Sequence, residues 1–305
     1  MAHPASSTAR QAAKSDSTMI TSRENRWLKR FRSALAGQRD DDGMVGVEGV
    51  RLVEAALGSS LPVEALLVSE SGARHLPHVA PYLASGVAVL RTSDKLFASV
   101  ADTQSPQGIA ALVRPRQSAI ENLLTGPALL VALAGVQDPG NVGTIVRAAE
   151  AFGATGAATL PAEGIGTADP FGPKALRASA GSALRLPIVH GVSPTILLAQ
   201  LRIFRMKVYA AVAAAEDSKN QTSDALPSLL CPWDVDWKIP SAILIGNEGS
   251  GLPADLVRAA DARVYIPQAA ANAPVGIESL NAAMAASVLL CEAMRQRNTS
   301  WREHL

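Results

Sequence analysis

The sequence predicts an α/β protein of two domains: a small N-terminal α/β/α layer domain followed by a larger domain on a parallel sheet. Three observations predict it. The chain has 305 residues, which on a soft prior of about 150 per domain suggests two. Strand-length apolar runs recur, each closed by a Gly- or Asn-rich turn and followed by a helix start or a second strand. Up to about Arg116, short strand and helix signals alternate, the pattern of layered α/β folds.

Composition narrows the function classes. A formal net charge of +1 excludes a histone-like polycation but allows a local basic patch. No apolar run reaches the roughly 18 residues of a membrane span. Cys231 and Cys291 lack C-x-x-C or Cys/His spacing, so buried free thiols, a reducing compartment and no metal site are expected. Residues 1–18 are small, polar and aperiodic and read as a disordered tail without the apolar core of a secretory signal. A cytoplasmic protein is the expectation.

From Thr21 to Arg39 the pattern is helical and basic. Arg23, Arg26, Lys29, Arg30, Arg32 and Arg39 stand against a single Glu24, and Trp27, Leu28, Phe31 and Leu35 form the apolar stripe. Such a face either meets phosphates or is simply solvated. The acidic run Asp40 to Asp42 with Gly43 ends the helix. A strand (44–48), a helix (49–57), a strand (63–68), a helix near 77–83, a strand (87–90) and a last strand ending at Val113 complete the first domain, assigned to 19–116. Residues 117–126 read as a linker and 127–298 as the second domain, with 299–305 a C-terminal tail.

In the second domain Ala128 to Val136 is a continuous apolar run, as in a strand buried on both faces. Asp138-Pro139-Gly140 then signals a turn. Val142, Ile145, Val146, Ala149 and Phe152 follow at helical spacing, which makes Asn141 the expected N-cap and Gly153 the stop. Asp169 to Val189 sets Lys174, Arg177 and Arg185 among small residues, where a phosphate could approach. A helix at 193–203, a strand at 207–213 and a long polar stretch at 214–240 come next. The strand 242–245 then opens into Gly246-Asn-Glu-Gly-Ser-Gly-Leu-Pro253, a glycine loop with Glu248 at its apex. It matches neither a P-loop nor G-x-G-x-x-G, which removes the phosphate-binding fingerprint of a dehydrogenase. The last helix is expected to open with Ser279 as N-cap and to present a smooth Ala/Leu face.

Taken together, three stretches resemble the signature motifs of the SpoU/TrmH family of RNA ribose 2'-O-methyltransferases, in the SPOUT class. They are Asn141, Gly143, Thr144, Arg147 and Ala148; then Gly246, Asn247, Glu248, Gly249 and Gly251; then Ile266, Pro267, Ser279, Leu280 and Asn281. Pro173 to Ser182 is also similar to the family. Ser22, Asn25, Leu28, Val47, Glu48, Gly49 and Leu52 resemble its substrate-binding domain, which has the fold of ribosomal protein L30e. The likeness runs from about residue 19 to 298.

The resemblance implies a deep trefoil knot, a homodimer with its site completed across the interface, and S-adenosylmethionine held in the knot loops by backbone groups near Leu244, Gly246, Gly251, Ile266 and Leu280. It assigns catalytic roles to Arg147, Asn141, Glu248, Ser279 and Asn281. Arg147 would contact the reacting ribose and its phosphate, Asn141 would position Arg147 or the substrate, and the other three would order the loops and the nucleotide. Arginine side chains keep their proton in proteins. Orienting a phosphate and stabilising a developing alkoxide is therefore a better role than general base. Arg23, Arg26, Lys29, Arg30, Lys174 and Arg177 become candidates for RNA contacts. Ribosomal RNA is the first expectation, transfer RNA the second, and a non-catalytic RNA-binding assembly factor on the same fold the third. One departure stands out: Gln268 to Ile277 is longer than the family's usual link at this point.

Overall fold

The structure, a computed structural model, describes residues 18–213, 226–269 and 279–298. The tails outside these bounds and the loop residues 270–277 lie outside the described residues. The chain divides into two units, one up to Pro115 and one from Arg116.

The first unit contains β1 (Thr18–Ile20), α1 (Arg26–Leu35), β2 (Val45–Glu48), α2 (Val50–Gly58), β3 (Val63–Ser69), α3 (Leu76–Val79), β4 (Ala88–Thr92), α4 (Asp94–Ala98) and β5 (Ile109–Val113). Its five-stranded sheet runs in the order β1-β4-β3-β5-β2, with β5 antiparallel to both neighbours. Every residue of β5 is buried, so both faces of the sheet are covered. Leu28, Phe31 and Leu35 of α1 pack with Leu67, Leu90 and Leu112 on one face. α2, buried through Leu52, Val53 and Ala56 and packed on β5, closes the other. Several boundaries differ from the sequence reading. The basic helix is shorter than 21–39, because Asn25 accepts a hydrogen bond from Trp27 N at 2.9 Å and caps it. The helix expected near 77–83 is a broken run of 3-10 and α turns, interrupted by Pro77 and Pro81. β1 and α4 were too short to carry a periodic signal.

The second unit continues with α5 (Ile120–Leu123), β6 (Leu129–Ala134), α6 (Pro139–Ala151), β7 (Gly156–Leu160), α7 (Pro173–Ala178), α8 (Ser182–Arg185), β8 (Ile188–Val189), α9 (Pro194–Ile203), β9 (Lys207–Ala211), β10 (Leu229–Leu230), β11 (Ser241–Ile245), α10 (Ala254–Ala259), β12 (Ala262–Val264) and α11 (Ala282–Arg297). The assigned linker is in fact part of this unit. Ile120, Leu123 and Leu124 are buried in its core, since a short amphipathic turn hides its apolar side however polar its flanks.

The seven strands lie in the order β10-β12-β9-β11-β6-β7-β8, all parallel. Such strands read as unbroken apolar runs because helices cover both faces. From β6 the chain winds outward through β7 to β8, returns to β9, and then places β11 between β9 and β6. The carboxyl ends of β6, β9, β11 and β12 therefore open on one edge, where open α/β sheets build their sites. Part of the stretch read as a long polar loop is core: Trp237 is fully buried, donates Nε1–H to Pro232 O at 2.8 Å and packs on Tyr209. Among the described residues no helix is long and apolar enough to cross a membrane.

The last helix returns to pack on α6. At its end Arg297 donates to four carbonyl oxygens, Trp237 O at 2.5 Å, Pro127 O at 2.5 Å, Ala128 O at 3.0 Å and Ile239 O at 2.8 Å. Half-burial lowers its pKa from the usual guanidinium range, yet the four acceptors keep it where the chain leads into β6 and β11. Hydrogen bonds to charged groups contribute about 1.5–3 kcal/mol, discounted here for partial hydration. Arg297→Ala is expected to lower stability by about 2 kcal/mol in urea unfolding, with Arg297→Lys recovering only part of it.

Candidate active site

The three motif loops meet at the carboxyl edge of the parallel sheet. The first begins one turn earlier than the sequence reading placed it. The N-cap of α6 is Asp138, not Asn141: Asp138 Oδ1 accepts from Gly140 N at 2.8 Å, and Pro139 takes the first helical position, where its missing N–H costs nothing. Asn141 thus sits inside the first turn with its amide free to look outward.

The second loop is shaped by Asn247. Its Nδ2 donates to Gly135 O at 2.8 Å, while its Oδ1 accepts from Gly249 N at 2.8 Å and Ser250 N at 3.2 Å. Its backbone exchanges hydrogen bonds with Gly251 in both directions. The fold-back is so tight that a Cβ on Gly246 would lie 2.3 Å from the Gly251 carbonyl carbon, and Gly251 itself has φ +70°. Only glycine fits at Gly246, and Gly251 sits in the left-handed region that favours glycine. Asn247 was matched to the motif but given no role; its work is visible only once the loop closes.

The third stretch is capped by Asn281, not Ser279. Asn281 Oδ1 accepts from Ala283 N at 2.8 Å and Met284 N at 3.3 Å. Ser and Asn are both good caps, so sequence alone could not choose.

These caps leave three side chains joined in a line. Asn141 Nδ2 donates to Glu248 Oε1 at 2.7 Å, and Asn141 Oδ1 accepts from Asn281 Nδ2 at 3.0 Å. One amide thereby ties all three motifs. Beside this line lies an open pocket of mixed lining, the kind of concavity that takes a small molecule. Ile245, Val264, Ile266, Leu280, Ala285 and Leu289 give it apolar walls, and Gly246 to Gly249, Gln268 and Ser279 give it a polar lip. Glu248 is the one ionisable side chain among the described lining residues. A ligand with an apolar ring system and a positive charge suits these walls.

Of the residues assigned to the cofactor, Gly246, Gly251, Ile266 and Leu280 line the pocket. The Leu244 side chain is fully buried in the core of the unit, and the next residue along the strand, Ile245, lines the pocket. Arg147 is exposed about 9 Å along α6 from Asn141, at 1.5 Å per residue. Among the described residues no hydrogen bond or ion pair holds its guanidinium. Of the other basic candidates, Lys174 donates to Asp138 at 2.8 Å, and that bond, with the Gly140 backbone, holds the Asp138 carboxyl below its ordinary pKa. Arg177 is exposed on α7.

In the first unit the four assigned RNA-binding cations differ among themselves. Arg23 is exposed ahead of α1, and Arg26 is exposed with its guanidinium 5.5 Å from the Trp27 ring centroid. Lys29 makes a surface pair with Glu24, the kind water exchanges readily. Arg30 is committed otherwise: it donates to both carboxylate oxygens of Glu64 at 2.5 and 2.9 Å and to Asp40 at 2.6 Å. It is a structural ion-pair residue. The acidic partners were read as a helix stop, and Glu64 lies too far along the chain for any local pattern to reveal. The thiols also differ from expectation, since Cys231 is half-buried and Cys291 exposed. Among the described residues no cluster of His, Cys, Asp or Glu is placed to hold a metal ion.

A family model described as the SpoU rRNA Methylase family matches residues 128–291, more than half of the chain. The chain belongs to the SpoU rRNA methylase family. A second model, the MRM3-like substrate binding domain, matches residues 29–111. The chain is 32% identical to the 23S rRNA (guanosine(2553)-2'-O)-methyltransferase RlmP of Bacillus subtilis, over 80% of this chain and 86% of that one. It is 31% identical to a 23S rRNA (uridine(2479)-2'-O)-methyltransferase of Streptomyces viridochromogenes, over 91% and 92%. An AdoMet-bound rRNA methyltransferase from Sinorhizobium meliloti superposes with a TM-score of 0.76 at 29% identity, covering 92% of this chain and 99% of that one.

Two outcomes test the local assignments. Asn281→Ala should cost about 1 kcal/mol of stability through the lost cap, whereas Asn281→Asp should keep the cap; urea midpoints of the two variants decide it. Asp40 is buried enough to raise its pKa, but hydrogen bonds from Arg30 and Met44 N outweigh this and lower it. A carboxylate depressed in the folded state stabilises above its unfolded pKa, and that contribution is lost as pH falls through the folded value. Arg30→Gln should therefore flatten the acid limb of the pH–stability profile measured below about pH 5.

Proposed function

We propose that the protein transfers a methyl group from S-adenosylmethionine to a ribose 2'-hydroxyl of ribosomal RNA. The observation that carries this reading is the Glu248–Asn141–Asn281 line of hydrogen bonds at the lip of a mixed apolar and polar pocket. It joins the same three stretches that resemble the family motifs. Family membership and the rRNA-directed names of its relatives support the substrate class.

The pocket residues fit the cofactor. The apolar walls suit an adenine ring, the polar lip suits ribose hydroxyls and an amino acid terminus, and Glu248 complements a cationic ligand. S-adenosylmethionine, when bound, supplies an electrophilic methyl group on a sulfonium sulfur. The chain's own residues do the rest. Glu248, fixed by Asn141, presents a stationary carboxylate rather than a mobile one, which pre-organises the lip. Asn281 locks the first turn of α11 beneath it. Arg147, uncommitted to any described partner, takes the phosphate next to the reacting ribose and stabilises the alkoxide as the hydroxyl proton leaves to solvent. The proton is not assigned to Arg147, because guanidinium remains protonated.

The finer architecture belongs to the same proposal. The return of the chain to set β11 between β9 and β6, followed by α11 packing back on α6, supports the trefoil knot. The mixed five-stranded sheet of the first unit supports the L30e-like assignment and an RNA-docking role for its exposed Arg23 and Arg26. Met284, Val288 and Cys291 are exposed on one side of α11; at i, i+4 and i+7 they share a face, which supports a homodimer through that helix. An rRNA substrate supports a cytoplasmic setting.

Tritium transfer from labelled S-adenosylmethionine to rRNA, with tRNA as the control pool, tests the whole reading. Label in rRNA is the expected result; label in tRNA alone replaces the substrate, and label in neither, with the cofactor bound, leaves an RNA-binding factor. Arg147→Ala should reduce methyl transfer by at least a hundredfold with cofactor affinity, read by calorimetry, nearly unchanged; wild-type turnover would remove Arg147 from the mechanism. Glu248→Gln keeps an acceptor for Asn141 but loses the charge, so it should weaken cofactor binding about tenfold or more.

A further inference from the structure

The opposite edge of the seven-stranded sheet holds a second cavity. It opens where β9 begins and is lined by Arg202, Arg205, Lys207 and Asp261 against an apolar wall that includes Leu198 and Met206. β9 climbs about 13 Å from Lys207 to Ala211 at 3.3 Å per residue, and Ala211 lines the pocket described above. The two cavities therefore belong to opposite edges of one sheet.

The charges here do not cancel. Asp261 is satisfied by its own edge, accepting from Lys207 Nζ at 2.8 Å and from Val208 N at 2.8 Å. That accounts for Lys207. Arg202 and Arg205 are exposed, and among the described residues no hydrogen bond or ion pair engages either guanidinium group. Two exposed guanidinium groups are left without an acidic partner of their own at the mouth of the cavity.

Helix termination explains only one of them. Arg202 stands in the last turn of α9, where any cation is favoured by the helix dipole. Arg205 follows the C-cap Phe204 with φ +53°, the left-handed position at which helices ordinarily place glycine or asparagine. A residue with a Cβ pays about 1 kcal/mol there. The long cation at that position lines the same cavity as Arg202.

We propose that this cavity holds a phosphate ester, and specifically a backbone phosphate of the RNA whose ribose is methylated at the other edge. The inference rests on the methyltransferase reading for the identity of the RNA, and on the cavity alone for the anion. Paired guanidinium groups bind phosphate in a planar, two-pronged fashion that lysine cannot match.

The test is the double variant Arg202→Gln with Arg205→Asn, the asparagine chosen because it accepts the left-handed backbone. Filter binding of the full chain to rRNA across a salt series should show a slope of log K against log salt shallower by about 0.7–0.9, the value for one lost phosphate contact. KM for RNA should rise on the order of tenfold while kcat at saturating RNA stays at wild type. Unchanged slope and KM overturn the proposal. Should the double variant unfold more easily in urea, Arg202→Gln alone, which leaves the backbone untouched, should give about half the slope change. Inorganic phosphate without RNA provides the second arm: variant-sensitive thermal stabilisation with an unchanged RNA slope would assign the cavity to a free anion and overturn the RNA contact. A wild-type protein that binds rRNA with this salt dependence but transfers no methyl group would sink the methyltransferase reading and leave the phosphate site standing.

Discussion

One amide side chain sets the geometry of the candidate site. Asn141 must donate to Glu248 and accept from Asn281 at the same time, and only a carboxamide offers both atoms at that reach. An aspartate would repel Glu248; a serine would be too short. Everything around the amide serves to bring its two partners within a hydrogen bond. Asp138 and Pro139 start α6 early enough that Asn141 is inside the helix and need not cap it. Asn247 folds the glycine loop so that Glu248 stands at its turn. Asn281 uses one atom of its side chain on its own helix and the other on Asn141.

That arrangement depends in turn on the sheet. Seven parallel strands put all their carboxyl ends on one edge, and β11 between β9 and β6 brings residues more than a hundred positions apart side by side. The apolar strands that make this possible, ALLVALA from Ala128 and SAILI from Ser241, were legible as buried runs. Their neighbours were not. Parallel order is a long-range property, and nothing in a strand's own residues says which strand it will lie against.

The same division between local and distant information decides what the sequence could and could not reveal about the site. The motif positions, the pocket-lining Gly246, Gly251, Ile266 and Leu280, and the exposed Arg147 lay in patterns of a few residues. The errors were of two kinds. Caps were misassigned where two good capping residues stood close together, Asp138 with Asn141 and Ser279 with Asn281. Partners were missed where the contact spans the fold: Glu64 holding Arg30, Asn141 holding Asn281, Trp237 closing the core under a stretch that is mostly polar.

Arg297 has a further meaning in the order of events by which the chain becomes a protein. Its four acceptors lie where the chain leads into the central strands β6 and β11, and α11, which it anchors, supplies Ala285 and Leu289 to the pocket wall. A ribosome emits β6 some hundred and sixty residues before it emits Arg297. During that interval the pocket lacks the part of its wall that Ala282, Ala285 and Leu289 supply. The lining of the site is thus drawn from segments made far apart in time, and its last wall arrives with α11.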